Sequence, residues 1–77
     1  MTRFNRITRD PAIMGGKACI RGMRVTAAMI VGQIAEGRTS AELLRDYPYL
    51  EPDDITQALR YAAWLAEGQE LALAPND

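Results

Sequence analysis

Thr39-Ser40-Ala41-Glu42-Leu43-Leu44-Arg45-Asp46-Tyr47-Pro48-Tyr49-Leu50-Glu51-Pro52-Asp53-Asp54-Ile55 contains two helix starts and the stop between them. Thr39 and Glu42 have the spacing of a capping box, in which each side chain accepts a hydrogen bond from the other residue's backbone N–H. Ser40 could serve as the cap instead. A short helix from about Ser40 to Asp46 follows, with Leu43, Leu44 and then Tyr47 turned inward. Pro48 cannot continue it. Pro52 suits the first turn of the next helix, and Asp53 and Asp54 suit the positive end of its dipole.

That third helix is expected to run to about Ala66, ahead of Gly68. Ile55, Leu59, Ala62 and Ala66 recur at helical spacing, with Ala58 and Leu65 widening the stripe. Gln57, Arg60, Tyr61 and Trp64 form a second stripe. Tyr61 and Trp64 either cover an edge of the core or mark a partner surface, and in a short chain the two roles can coincide. On the other side of the quoted stretch, Thr26 is a good N-cap for a first helix reaching about Glu36. Gly37 stands where a left-handed residue ends a helix. Ala27, Ile30, Val31 and Ile34 make its core stripe, while Ala28 and Gly32 leave a groove of small residues where another backbone can come close. Long helix, short helix, tight turn, third helix is the order of a helix-turn-helix core. The expected fold is therefore mainly α, with a tri-helical, homeodomain-like core over 26–68, an extended or short-β arm over 1–25 and a frayed tail over 69–77.

Gly15, Gly16 and Gly22 read as enforced bends in the arm. Ala18 to Arg21 between them is too short a strand to stand alone, and could pair with a neighbour or a second chain. The arm is either a structural hairpin leading into the helices or an anion-facing loop. A nucleotide P-loop is excluded, because Ala18 follows Gly16-Lys17 where Ser or Thr is needed and Pro11 stands at the first glycine position.

Residues 1–24 carry Arg3, Arg6, Arg9, Lys17, Arg21 and Arg24 against Asp10 alone, a net +5, whereas 25–77 carry a net −6. The basic segment either binds nucleic acid, or packs on the acidic part of its own chain or of a dimer mate, or is an ordinary solvated face. A chain of 77 residues has room for one domain with a small core. With a single cysteine no disulfide closes within the chain, and with no histidine a structural metal is unexpected. Oligomerisation is left, so a homodimer is expected, with the Ala18–Arg21 strand paired across copies. No stretch has the apolar length to span a bilayer, which points to a cytoplasmic protein with Cys19 as a reduced, apolar filler.

No nucleophile, base and orienting group can be assembled into a triad, so neither catalytic nor cofactor-binding residues are expected. Asp46, Glu51, Asp53 and Asp54 are more simply helix caps and a solvated acidic face than a metal cluster. Three carboxylates, Glu51, Asp53 and Asp54, at the start of the third helix would repel phosphates, so direct base reading by that helix is not expected.

Gly15-Gly16-Lys17, Ile20 and Gly22-x-Arg24-Val25 resemble the signature of the small bacterial family known as domain of unknown function 433. Asp10-Pro11, Glu42-Leu43-Leu44, Tyr47-Pro48-x-Leu50, Asp53-Asp54-Ile55 and Ala58-Leu59-x-Tyr61-Ala62-Ala63 extend the resemblance over about residues 6–65. The family pattern has Pro at Ala18 and Thr at Met23. The resemblance implies a compact helix-turn-helix-like domain and a place beside a PIN-like ribonuclease toxin, hence an antitoxin-like, non-catalytic role. Arg3, Arg6, Arg9, Lys17, Arg21, Arg24, Tyr61 and Trp64 are the expected contacts with that partner or with DNA, the latter bound weakly and through the arm.

Overall fold

The computed structural model describes the backbone of residues 4–73 and the side chains of 4–68. Two short strands, β1 (Ile7–Thr8) and β2 (Cys19–Ile20), precede three helices: α1 (Ala27–Ala35), α2 (Ser40–Asp46) and α3 (Pro52–Leu73). The fold is mainly α, as the helix signals predict.

Local chemistry sets the helix ends. The Thr26 hydroxyl accepts from the Met29 N–H at 3.0 Å to open α1, and Gly37, with φ +99°, follows its end. At α2 both halves of the capping box are present: the Glu42 N–H donates to the Thr39 hydroxyl at 3.1 Å and the Thr39 N–H to the Glu42 carboxylate at 2.9 Å. That amide holds the Glu42 carboxyl below its ordinary range. Arg38 ties the end of α1 to α2 through Gln33, Glu42 and Asp46.

The strands make a two-stranded antiparallel ladder, with Ile7 opposite Ile20 and Thr8 opposite Cys19. On its other edge β2 meets Val25–Ala27 of the same chain: the Ile20 N–H donates to the Val25 carbonyl and the Ala27 N–H to the Ala18 carbonyl, each at 2.9 Å. Both edges are therefore filled from within. This corrects the expectation that the strand pairs across copies, since its backbone groups are already satisfied.

The reversal after β2 sets two successive residues in the left-handed region, Arg21 at φ +47° and Gly22 at φ +73°. Glycine adopts this freely; arginine does so against steric resistance, and something must hold it there. Gly15 and Gly16 are left-handed too, beside a left-handed Met14, so the glycines expected to enforce bends, Gly15-Gly16 and Gly22, all do so.

One core joins arm and helices. Ile20 and Val25 come from the arm, Ala27 and Ile30 from α1, Leu43 from α2, Leu50 from the turn, and Ile55 and Ala58 from α3. Cys19 is buried among them, 1% exposed, as an apolar filler.

α3 departs from expectation in two ways. It runs through Gly68 to Leu73 rather than stopping near Ala66. One helical glycine costs about 1 kcal/mol against alanine, and Gln69 to Leu73 are good helix formers that outweigh it. Its apolar stripe is also buried only at the start. Leu59 is 37% and Leu65 47% exposed, and Ala66 is exposed. α1, nine residues long, covers about 13 Å, whereas the 22 residues of α3 cover about 33 Å. Beyond Ala62 the stripe runs past what α1 covers. Residues 74–77 of the expected tail lie outside the described residues, as does Arg3.

Candidate functional site

Two places bring the sequence-predicted residues together, and they differ in kind. The first is the start of α3, where the basic arm meets the acidic helix. Asp54 is fully buried. It stands at the third position of α3, where its carboxylate accepts from the Glu51 N–H at 2.8 Å and so caps the helix. Arg21 grips the same carboxylate with its Nη2 at 2.9 Å and its Nε at 3.1 Å, and donates to the Tyr49 carbonyl at 2.8 Å. Arg6 reaches Asp54 at 3.0 Å and Glu51 at 2.7 Å. The Arg6 amide donates to Gln57, whose own amide donates to Asn5 at 2.6 Å.

Arg6 and Arg21 are thus committed inside the chain, which for these two cations is the second of the three readings of the charge division. Asp54 is a helix cap, as expected of these acids, but lies on no solvated face; its arginine partners are 33 and 48 residues away, and no local pattern marks them. Arg21 makes these contacts from a left-handed backbone. Burial alone pushes the Asp54 carboxyl up, but Arg21, the Glu51 amide and Arg6 outweigh it and hold it below its ordinary value. A depressed folded-state pKa contributes stability above the unfolded value, about 3.9, and that contribution disappears as pH falls through the folded one. Urea midpoints measured from pH 7 to pH 2 are therefore expected to fall below about pH 4. The Asp54→Ala chain should show a smaller fall than the parent.

The second place is a groove of about 580 Å³ between α1, α3 and the arm. Ala28, Val31 and Gly32 supply one wall, Ala58, Ala62 and Leu65 the other, and Arg9 and Lys17 stand at the arm side. The small residues foreseen at Ala28 and Gly32 do open a groove. Arg9 donates to the Gly16 carbonyl at 3.0 Å, so the two cations are neighbours. Neither makes an ion pair among the described residues, and Arg24 likewise is exposed without one. Tyr61 lines the groove and packs edge-on to Phe4 at 5.4 Å, while Trp64 lies 5.8 Å from Phe4 and stays 44% exposed. These two aromatics therefore cover part of the arm and also border the open face.

Among the described residues no group of three metal-ligating side chains is present, and no helix is long and apolar enough to cross a membrane.

Residues 7–62 match the family described as "Protein of unknown function (DUF433)". The crystal structure of a DUF433 member protein from Anabaena variabilis, at 2.00 Å resolution, superposes with a TM-score of 0.76 at 31% sequence identity. The alignment covers 92% of this chain and 70% of that one. No curated protein matches the chain. Ala18, where the family pattern has Pro, donates no hydrogen bond among the described residues, so proline there would remove none.

Proposed function

The chain belongs to the DUF433 family, and we propose that it acts in the cytoplasm as a non-catalytic interaction protein, antitoxin-like, that binds and neutralises a PIN-like ribonuclease. The ribonuclease comes from the family resemblance. The interaction role is supported by the groove: an apolar cleft with small-residue walls and, at its side, two cations without an ion pair among the described residues, continuous with the exposed faces of Trp64 and Leu65. Such a cleft suits an apolar helix of a partner, laid in by its hydrophobic stripe. The carboxylates at the start of α3 are occupied by Arg6 and Arg21, which favours a structural over a catalytic use of them.

The test takes the PIN-like ribonuclease of a neighbouring reading frame and follows cleavage of a fluorogenic RNA as this protein is titrated in. Cleavage is expected to stop near equimolar protein. Gly32→Phe is expected to restore it, because a Cβ at Gly32 meets nothing within 4 Å and the ring would fill the groove without disturbing the fold. Full cleavage at a large excess of the parent protein would overturn the reading.

Exposed Arg9, Lys17 and Arg24 favour a second reading, a small DNA-binding regulator acting through its arm. Each phosphate neutralised contributes roughly −0.9 to the slope of log K against log salt. Arg9→Ala and Arg24→Ala are each expected to flatten that slope by about this amount. Arg6→Ala should destabilise the fold and leave the slope unchanged. Tight binding that persists at physiological salt and collapses on Arg60→Ala would place the contact on α3 instead.

A further inference from the structure

We infer that in the free protein the groove of one copy holds the C-terminal half of α3 from a second copy, the two α3 helices running antiparallel about a two-fold axis. The inference rests on the same face as the ribonuclease reading and adds what covers that face when no other partner is bound.

The surface is complementary to itself. Beyond Ala62, every residue of α3 whose side chain is described is exposed, up to Gly68. Trp64 and Leu65 stand out from this overhang at 44% and 47% exposure, and Leu65 also lines the groove. Projection and cleft therefore lie side by side on one helix. A two-fold axis across α3 near Leu65 carries each projection to the other copy's cleft and closes the assembly at two chains. Ala28, Gly32 and Ala62 leave room for a helix to approach closely.

Charge points to the same occupant. Arg9 and Lys17 beside the groove make no ion pair among the described residues, while α3 from Tyr61 to Leu73 contains Glu67 and Glu70 and no lysine or arginine. Glu67 is exposed and lies three residues beyond Trp64, on the flank of the stripe formed by Tyr61, Trp64 and Leu65. An acidic, apolar half-helix is what this cationic, apolar cleft fits, and the chain carries one. Covering the overhang also gives a small core the further burial that neither a disulfide nor a metal supplies.

Sedimentation equilibrium of the full chain, from low to several hundred micromolar, is expected to show a reversible monomer–dimer equilibrium. Leu65→Glu should weaken it at least tenfold without changing the far-UV circular dichroism of the dilute monomer. Glu67→Lys should weaken it too, and adding Lys17→Glu to Glu67→Lys should restore it. A monomer at every concentration overturns the inference, as does a dimer indifferent to Leu65→Glu and to the charge exchange. A monomer that still silences the ribonuclease leaves the functional reading standing, and a dimer that never binds it sinks that reading alone.

Discussion

Asp54→Ala is expected to lower the free energy of unfolding by about 2–3 kcal/mol, a large share of what a domain of this size has. The carboxylate is fully buried, and its removal takes away at once the cap on the Glu51 N–H and the anchor of Arg6 and Arg21. Breaking a buried ion pair usually costs more, because a charge is left stranded. Here the stranded groups are two arginines with side chains 24% and 34% exposed, which can turn to water, so the loss lies toward the lower end. Asp54→Asn is not expected to rescue: its NH₂ would face guanidinium donors, and one carboxylate oxygen's worth of acceptor would be gone. Asp53→Asn is the control. Asp53 is 75% exposed and stands 3.7 Å from Arg6, so its loss should cost no more than about 0.5 kcal/mol. Urea unfolding of the three variants at neutral pH, followed by circular dichroism, measures the difference. Equal losses at Asp53 and Asp54 would mean that helix-dipole charge, rather than the buried contact, is what matters.

Asp54 also marks where sequence reading stops. Thr26, Thr39, Glu42 and Pro52 disclose the helix starts because capping is chemistry over three or four residues, written contiguously in the chain. The groove was legible for the same reason: Ala28 and Gly32 are small residues four apart on one helix. Which aspartate of the pair Asp53-Asp54 is buried depends on where Arg6 and Arg21 arrive from: Arg6 from just ahead of β1, Arg21 from the left-handed turn after β2. Arginine gives no local warning of such a conformation. The exposure of Leu65 was hidden differently. Periodicity tells which face a helix can bury, but not that its neighbour α1 stops after nine residues. All six cations of the arm read alike as contacts, and nothing in their spacing separates Lys17 and Arg9 from Arg6 and Arg21, which the fold uses internally.

Ile20→Ala carries the other large effect, because it asks whether the arm is an appendage or part of the domain. Ile20 is completely buried, belongs to the same core as Ile30, Leu43 and Ala58, and sits in the strand that both Ile7 and Val25 flank. Truncating a buried isoleucine typically costs about 2–5 kcal/mol, the larger values where the surroundings cannot collapse into the void. Collapse is restricted here: β2 is hydrogen-bonded along both edges, and Arg21 next to it is held by Asp54. A loss of about 3 kcal/mol would lower the melting temperature of so small a domain by roughly 12–24 °C. Tyr49→Ala, at a side chain 48% exposed in the turn before α3, should by comparison change little. If Ile20→Ala melts within two or three degrees of the parent, the arm folds onto a helical core that is already stable without it. If instead it melts far lower and in a single transition, strands and helices form one cooperative unit. Contacts made by Arg9, Lys17 and Arg24 would then be presented by a rigid surface rather than by a flexible arm.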